Sequence, residues 1–481
     1  MTKFSFKQLA ATALLMCCSV TAVANDFEVN GIFYNITNLI NNTVEVTFKG
    51  ESMTEYSNEY TYYVEIPDSV VYEGTTFRVT SIAKCAFYKC SSLKNITIPN
   101  SVTLIGEEAF YGCTGLTSAT IGNSVTNIGK SAFYNCHNLT GIEIPGSVTK
   151  IGERAFDSCK GLKSIEIPNN VKEIGEYAFY NCINLGSITL PDSIATIKTG
   201  TFYSCGGLDS ITIPAGVTSV ENNAFAKCKG LKEINIPDNV VILEGNAFTE
   251  CTELTTATIG KGVKYFNKNL IGAGNPFRNC PNLVNITVSE DNPTYDSRDN
   301  CNAIIEKRNN RIMVGCKNST IHESVTSIYQ SAFANCTGLT QIEIPNNVKH
   351  IFASAFEGCT NLVTIKFSEN VTGIERYAFR ECNALTEIYL MSENPPTIYS
   401  DTFSKYSATL FVPQGTKAAY ESANYWKNFT NIKEISYTGI EDTNEEVNNK
   451  MNNVYDLSGR AVVENPTSGI YIVDGKKIFI K

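Results

Sequence analysis

A 23-residue unit recurs through most of this sequence. Its clearest copy runs from Leu162 to Cys182 in the frame L-x-x-I-x-I-P-x-x-V-x-x-I-x-x-x-A-F-x-x-C. Tandem units of this length stack on their neighbours and bury a continuous core, so the period predicts a solenoid rather than several globular domains. The phenylalanine of the frame recurs at a step of 23 residues at Phe87, Phe110, Phe133, Phe156, Phe179, Phe202, Phe225 and Phe248, and again at Phe333, Phe356 and Phe379.

Each part of the unit predicts its own local structure. We expect the leucine, the isoleucines, the valine, the Ala-Phe pair and the cysteine to point inward. The I-x-I segment ends at proline in most copies, and proline has no amide to donate, so a strand is expected to stop there. The V-x-x-I segment predicts a second, shorter extended stretch. The Ala-Phe-x-x-Cys segment predicts one helical or 3-10 turn, because it is too short for a stable helix.

Twelve of the 17 cysteines stand three residues after the repeat phenylalanine, so they follow the repeat and not a disulfide framework. Parallel strands stack about 4.8 Å apart, but equivalent Cβ vectors run parallel, which is poor geometry for a bridge. We therefore expect a ladder of free thiols that fill the core. In an exported protein, such thiols indicate a reducing or anaerobic habitat. The ladder consists of Cys90, Cys113, Cys136, Cys159, Cys182, Cys205, Cys228, Cys251, Cys280, Cys336, Cys359 and Cys382.

The segments outside the repeat have their own signals. Strand-rich sequence before the first repeat predicts a cap, because a solenoid otherwise exposes its first apolar layer. The period breaks before Phe333, where Asn309 and Asn310 lie between two apolar runs and predict a hairpin turn. The predicted organisation is a signal peptide at 1–24, a β-rich N-terminal cap at 25–81, the solenoid at 82–390 with a hairpin insertion near 290–320, a C-terminal cap at 391–435, a linker at 436–450 and a small β-structured tail at 451–481.

The N-terminus has the pattern of a secretory signal. Lys3 and Lys7 form the positive region, an apolar region follows, and the small residues ending at Ala24 form a cleavage site. A lipoprotein site at Cys17 or Cys18 is the alternative, although neither follows a small residue. The apolar run is too short to predict a transmembrane helix, so no membrane span is expected in the mature chain.

The repeat frame resembles the BspA-type leucine-rich repeats of bacterial surface proteins. The resemblance covers about Ile82 to Leu390, and the segment around Val412–Tyr420 is similar to the usual ending of such proteins in Bacteroidetes. The tail is similar to a type IX secretion sorting domain but is much shorter. The resemblance implies an α/β leucine-rich repeat solenoid, rich in parallel strands with short helical or 3-10 turns. It also implies adhesion to host proteins or other cells.

Signals for catalysis, cofactors or nucleic acid are weak. The chain has 39 basic and 48 acidic residues, which argues against nucleic acid as a partner. Its three histidines, His137, His322 and His350, lie in no metal-binding or triad-like local pattern. The sequence has no phosphate-binding glycine loop after a strand. We therefore predict a protein that is not an enzyme and needs no cofactor or metal.

Two sets of polar positions are candidates for partner binding. Between the two isoleucines, most copies place threonine, glutamate or asparagine, which predicts a flat polar sheet face that serves solubility or a broad docking surface. After the repeat phenylalanine stands a run of tyrosines that Asp157 interrupts and Ala226 ends. These rings are predicted either to pack between repeats or to form an aromatic ladder for a protein or glycan. The candidates are Tyr88, Tyr111, Tyr134, Tyr180 and Tyr203.

The sequence therefore favours a secreted protein displayed at the cell surface or outer membrane. Its expected partner is a host extracellular protein or glycan, or another cell surface. The alternatives are a structural spacer and a glycan-capturing surface protein.

Overall fold

The computed structural model describes residues 25–50, 52, 58–266 and 274–435, and the backbone of 454–455, 469–473 and 476–480. The predicted signal peptide at 1–24 and linker at 436–450 lie outside these residues. Each repeat forms one coil of a solenoid, and equivalent residues of successive coils pair in parallel. Ser164 pairs with Ser187 and Lys150 with Glu173, both at the 23-residue step. The predicted parallel solenoid is confirmed.

Two strand-bearing faces run along the solenoid, because each coil contributes an I-x-I strand and a shorter strand ending at the next isoleucine. The strands of each face pair in several separate runs, and each face is here called a sheet. The long-strand sheet comprises Tyr62–Glu65, Leu93–Thr97, Ser118–Thr120, Ser164–Glu166, Ser187–Thr189, Glu233–Ile236, Thr256–Ile259, Asn285–Val288, Gln341–Ile344, Thr364–Phe367, Glu387–Leu390, Thr409–Pro413 and Asn431–Ile435. The short-strand sheet comprises Thr75–Ile82, Leu104–Ile105, Asn127–Ile128, Lys150–Ile151, Glu173–Ile174, Thr196–Ile197, Ser219–Val220, Ile242–Leu243, Ser327–Ile328, His350–Ile351 and Gly373–Ile374.

One detail of the predicted fold needs correction: the Ala-Phe-x-x-Cys segment is neither a helical nor a 3-10 turn. The amides of Tyr111 and Cys113 donate to carbonyls three residues earlier, whereas those of Phe110 and Gly112 donate to the next coil. A helix would turn every amide back onto its own chain. The segment is instead a chain of turns, which satisfies its backbone partly through the neighbouring coil.

Residues with a left-handed backbone conformation allow the amides to alternate between bonds within the coil and bonds to the next coil. The residue before the repeat alanine and the second residue after the phenylalanine have positive φ in most coils, for example 52° at Ser131 and 63° at Asn135. Asparagine and glycine tolerate this conformation well, and both recur at the second position. The repeat phenylalanines stack along the solenoid core beneath these turns, with ring centroids 4.8 to 5.6 Å apart.

The N-terminal segment covers one end of the core. Its first strands extend the short-strand sheet through Thr75–Ile82. Ser69–Tyr72 pairs with Thr75–Ile82 in the antiparallel direction. The buried rings of Tyr34 and Phe77 pack against Phe27 within the cap, and Tyr60 packs on Phe87 of the first coil with ring centroids 4.5 Å apart. The added strands are Phe27–Val29, Ile32–Asn38, Thr43–Thr47 and Ser69–Tyr72.

The insertion lies inside the stack and not on its surface. Ala303–Glu306 and Arg311–Gly315 form an antiparallel hairpin. Tyr295–Asp296 pairs antiparallel with Ala303–Glu306, and a 3-10 turn at Arg298–Asn300 lies between these two strands in the chain. Arg311–Gly315 then pairs in parallel with the short strand that follows. Both hairpin faces are buried. Ile304 and Val314 belong to the upstream core, and Ile305 and Ile312 to the downstream core.

The far end is closed by a short α-helix, Lys417–Ser422, and a 3-10 turn, Trp426–Asn428. The Trp426 indole is buried and its Nε1 donates to the Pro396 carbonyl over 2.7 Å. Beyond this end, the tail forms a separate antiparallel sheet of Val454–Tyr455, Gly469–Val473 and Lys476–Ile480.

Candidate functional site

The structure brings the candidate tyrosines together as two stacked runs, here called the tyrosine ladder. Tyr88 and Tyr111 stack with centroids 5.0 Å apart, and Tyr111 and Tyr134 with centroids 4.5 Å apart and planes 7° apart. Tyr180 and Tyr203 form the second run, with centroids 5.0 Å apart. All five side chains are partly exposed. The stacking arises because each tyrosine follows the buried phenylalanine by one residue and so lies on the outer side of the same turn.

A guanidinium group fills the gap between the two runs. Arg154 lies over the ring of Tyr177, 4.6 Å from its centroid, and 5.9 Å from that of Tyr180. Its Nη1 forms an ion pair of 2.6 Å with Oδ2 of Asp157, which is almost fully buried, and the Ser158 hydroxyl donates to the other carboxylate oxygen. Burial raises the pKa of Asp157, while the hydrogen bonds from Ser158 and Arg154 lower it. The cation of Arg154, held in place by Asp157, therefore lies where the tyrosine ladder is interrupted.

Lysines lie at both ends of the ladder. The Lys89 ammonium is 5.0 Å from the centroid of Tyr88, and the Lys227 ammonium is 5.3 Å from that of Tyr203. The hydrogen bond to Tyr203 and the charge of Glu250 raise the pKa of Lys227. The surface thus combines phenol edges with three cations, and tyrosine and arginine are the residue types enriched at interface hot spots.

The sequence interpretation missed the cations and Tyr177. Arg154 lies three residues before Asp157, in the one coil of this run that lacks the tyrosine. The sequence signal that could have revealed this cation is the pair of opposite charges three residues apart, Arg154 and Asp157, in the coil where aspartate replaces the ladder tyrosine.

The outer face of the long-strand sheet carries the predicted polar column. Thr97, Thr120 and Thr189 are partly or fully exposed there, whereas Lys366 is buried and paired with Glu343 over 2.5 Å. Residues 141–144 and 210–213 of this face are not assigned to strands. A cavity of about 580 Å³ lies on this face beside Thr97, Thr120 and Glu143, so the face is not uniformly flat as the sequence predicted. Its described threonine-rich part presents neither the stacked aromatic rings nor the regularly spaced cations of the ladder.

The cysteines of the described residues are buried free thiols, as the repeat predicted for the ladder positions. Most ladder thiols donate a hydrogen bond to the phenylalanine carbonyl of the preceding coil, as from Cys136 to Phe110 over 3.2 Å and from Cys228 to Phe202 over 3.2 Å. Burial raises their pKa, to about 12 for Cys228. A protonated, enclosed thiol is a poor nucleophile and a poor metal ligand.

One histidine lies in an arrangement that the sequence did not reveal. His322 Nε2 is 2.7 Å from Oδ2 of Asp299, and its Nδ1 is 2.8 Å from the Ser324 hydroxyl. The composition is that of a catalytic triad. However, Nδ1 also accepts the Ser324 amide, Arg298 donates to the Ser324 hydroxyl, and the Asp299 side chain is 78% exposed. A solvated carboxylate is a weak orienting group, so this chain of bonds fastens the insertion.

The described ranges contain neither a candidate metal centre nor a candidate membrane-spanning helix. No group of three or more histidine, cysteine, aspartate or glutamate side chains there is arranged to hold a metal ion. No helix in the described part is both long and apolar enough to cross a membrane.

Comparisons with known proteins agree on the architecture. No curated protein matches the chain. A crystal structure of a leucine-rich repeat protein from Bacteroides ovatus ATCC 8483 is similar at 29% identity and a TM-score of 0.56, covering 80% of this chain and 99% of that one. A leucine-rich cell surface protein from Faecalibacterium prausnitzii A2-165 is similar at 26% identity and a TM-score of 0.50, covering 77% and 96%.

The family comparison covers most of the solenoid. Residues 80–208, 195–304 and 312–433 match the BspA type Leucine rich repeat region, in 6 copies. Neither this family nor the two structures indicate an enzyme class. The repeat frame, the parallel coils and the matched ranges together show that the chain belongs to the BspA-type leucine-rich repeat family.

Proposed function

We propose that this protein is a secreted or surface-displayed adhesion protein that binds a macromolecular partner through the tyrosine ladder. The observation that carries the proposal is the pair of stacked runs, Tyr88–Tyr134 and Tyr180–Tyr203, with Arg154 between them. Fixed rings lose little side-chain entropy on binding, and partly desolvated cations beside them add directional contacts.

A protein partner fits the ladder better than a glycan does. Sugars stack on the faces of aromatic rings, but here most ring faces are covered by the next tyrosine or by Arg154, Lys89 and Lys227. The accessible parts are ring edges and hydroxyl groups, which suit hydrogen bonding and packing against a protein surface. Glycan capture remains the second candidate, supported by the hydroxyl-rich long-strand face.

Surface display is part of the same proposal. Membership in the family, the cell-surface name of the similar F. prausnitzii protein and the secretory pattern of residues 1–24 support export. A non-enzymatic role is supported by the structural use of the cysteines and His322. If the protein were only a structural spacer, the tyrosine ladder would bind no specific partner.

The experiment is a binding measurement on a panel of immobilised extracellular matrix proteins and protein-free mucin glycans. Replacing Tyr111 and Tyr134 with alanine removes two of the three rings of the first run. We expect binding to a protein on the panel to fall at least about tenfold, which corresponds to the loss of one modest hot spot. Tyr399→Ala is the matched control, since Tyr399 is a similarly exposed tyrosine with its own arginine, outside the ladder.

Two results would contradict the proposal. Equal binding by the double variant and the wild-type chain, with unchanged circular dichroism, would remove the ladder as the binding site. Binding only to the glycans, lost on changes to the long-strand face, would replace the protein partner with the glycan alternative.

A further inference from the structure

The two sheets of the solenoid end differently at the N-terminus. The short-strand sheet continues into the cap strands, so its first repeat strand is covered. The long-strand sheet begins at Tyr62–Glu65, which, among the described residues, pairs only with Leu93–Thr97. Within that part of the chain the first strand has an open edge, and an open edge is a template for another strand.

The free backbone groups of that edge can be assigned. Ile66 donates its amide to Thr97, and the register is regular from Tyr63 to Glu65, so the even-numbered residues of this stretch bond inward. Tyr62 also donates inward, to Ser92, but it has a φ of 56° and precedes a shift in the register. Alternation along a strand turns the amides of Tyr63 and Glu65 the other way. The edge is also accessible, since Tyr62 is 73% and Tyr63 is 56% exposed.

A cavity of about 660 Å³ lies beside the edge. Its walls come from the first hairpin turn, including Val29 and Ile32, and from Val70 and Val71 of the cap. Val71 is 61% exposed, which is unusual for an aliphatic side chain of a strand. An added segment could therefore bury apolar side chains on one face while its backbone pairs with Tyr62–Glu65.

The cavity also contains an unsatisfied acceptor. Glu59 lines it, and its Oε2 is buried without a hydrogen-bond partner among the residues that the structure describes, whereas Oε1 accepts the Lys49 amide over 3.2 Å. Burial raises the pKa of Glu59 to about 7, and the hydrogen bond and charge of Lys49 oppose that rise. Glu65, on the strand itself, adds a second carboxylate to the cavity wall. A basic side chain is the group that would satisfy Oε2.

The opposite end of the long-strand sheet is protected. In the last strand, Glu434 aligns with the buried Val412 and so occupies a position where repeats place an isoleucine. Its carboxylate accepts the amides of Gly415 and Lys417, each over 3.0 Å. Glu434 is exposed at this end of the sheet, and a charge at a position that faces inward in the repeats opposes strand addition. A second copy presenting this strand to Tyr62–Glu65 would bring Glu434 towards the apolar Ile66 position, which disfavours head-to-tail pairing.

We propose that the Tyr62–Glu65 edge takes up an extended segment of a partner polypeptide by β-strand addition, with a lysine or arginine of that segment reaching Glu59. This site is independent of the tyrosine ladder. Backbone pairing supplies affinity, and the cavity selects alternate side chains, as in other strand-addition complexes.

The test selects short random peptides displayed on phage against the full chain. We expect enriched peptides with alternating apolar residues and one basic residue, and slower deuterium exchange at the amides of Tyr63 and Glu65 when they bind. Glu65→Pro should abolish binding, because proline removes the outward amide while the extended Val64 before it and the inward amide of Ile66 remain compatible. Glu65→Gln keeps the amide and should bind within a fewfold of wild type.

Glu59→Gln tests the charge separately. It keeps an acceptor for the Lys49 amide, and we expect it to weaken peptides with the basic residue about tenfold while peptides with glutamine at that position bind equally to both chains. The proposal is overturned if Glu65→Pro binds the peptides as well as Glu65→Gln does. It is also overturned if no peptide is enriched over the Glu65→Pro chain, or if Glu65→Pro abolishes only concentration-dependent self-association.

Discussion

At the residue scale, the ladder cysteine combines packing with a directed bond. Its side chain fills a small completely buried slot, and its thiol donates to the carbonyl of the phenylalanine one coil earlier, as from Cys182 to Phe156 over 3.1 Å. That carbonyl already accepts an amide from its own coil, so the thiol satisfies its second lone pair. Alanine would fit the slot but leave this bond unmade.

We expect the buried thiols to make the folded state less stable as pH becomes alkaline. Folding raises the thiol pKa, for example to about 12 for Cys228 and Cys280, from about 8.5 in an unfolded chain. Between these values the folded state binds more protons, so this contribution is intact below about pH 8.5 and is lost as pH rises. We expect the free energy of unfolding, and with it Tm, to fall as pH rises above about 8.5, with each thiol contributing at most about 1.4 kcal/mol per pH unit.

The control is a chain in which Cys205 and Cys228 are both alanine. It should be less stable at pH 7, because two thiol hydrogen bonds are lost, but its Tm should fall less steeply with pH. An unchanged slope in that chain would mean that other groups cause the alkaline loss.

At the element scale, the turns show where sequence reasoning stopped. The repeat identified which residues are buried, because burial follows the apolar pattern directly. It did not identify the conformation of the Ala-Phe-x-x-Cys segment, because apolar spacing fits a helical turn as well as a chain of turns. The choice depends on amides that bond to the next coil, which a single unit does not reveal. For the same reason, the sequence located the tyrosines but not the stacking of Arg154 across coils.

The left-handed positions supply a test of these turns. Gly112 has a φ of 71°, and a Cβ there would lie 3.1 Å from Cγ of Lys89. We expect Gly112→Ala to lower the free energy of unfolding by about 1 kcal/mol, because alanine is strained in this conformation. Gly146→Ala is the matched control, since its φ is not in the left-handed range and its Cβ would meet nothing within 4 Å. Equal effects in urea unfolding would contradict the assigned turn geometry.

At the scale of the whole molecule, the hairpin divides the core. The phenylalanine stack runs to Phe277 and resumes at Phe333, and the buried apolar residues form two clusters that meet at opposite faces of the hairpin. The sequence located this break by its period. It did not show that both hairpin faces are buried, because an apolar run alone does not tell which partners cover a strand.

This division predicts two unfolding transitions. Repeat coils contact chiefly their neighbours, so a local loss of stability spreads poorly across a junction with different packing. Phe356→Ala should cost about 3–5 kcal/mol and lower the Tm of one calorimetric transition. Phe133→Ala should lower the other. A single transition that both variants shift equally would show that the hairpin couples the two segments into one cooperative unit.

The central claim is that the scaffold serves the tyrosine ladder, and a deuterium-exchange footprint of the chain with its bound protein partner tests it most directly. The account predicts slower exchange in the turns that carry Tyr88, Tyr111, Tyr134, Tyr180 and Tyr203, with the strands of the long-strand sheet unchanged. Protection confined to the long-strand sheet, with the turns exchanging as in the free protein, would contradict it.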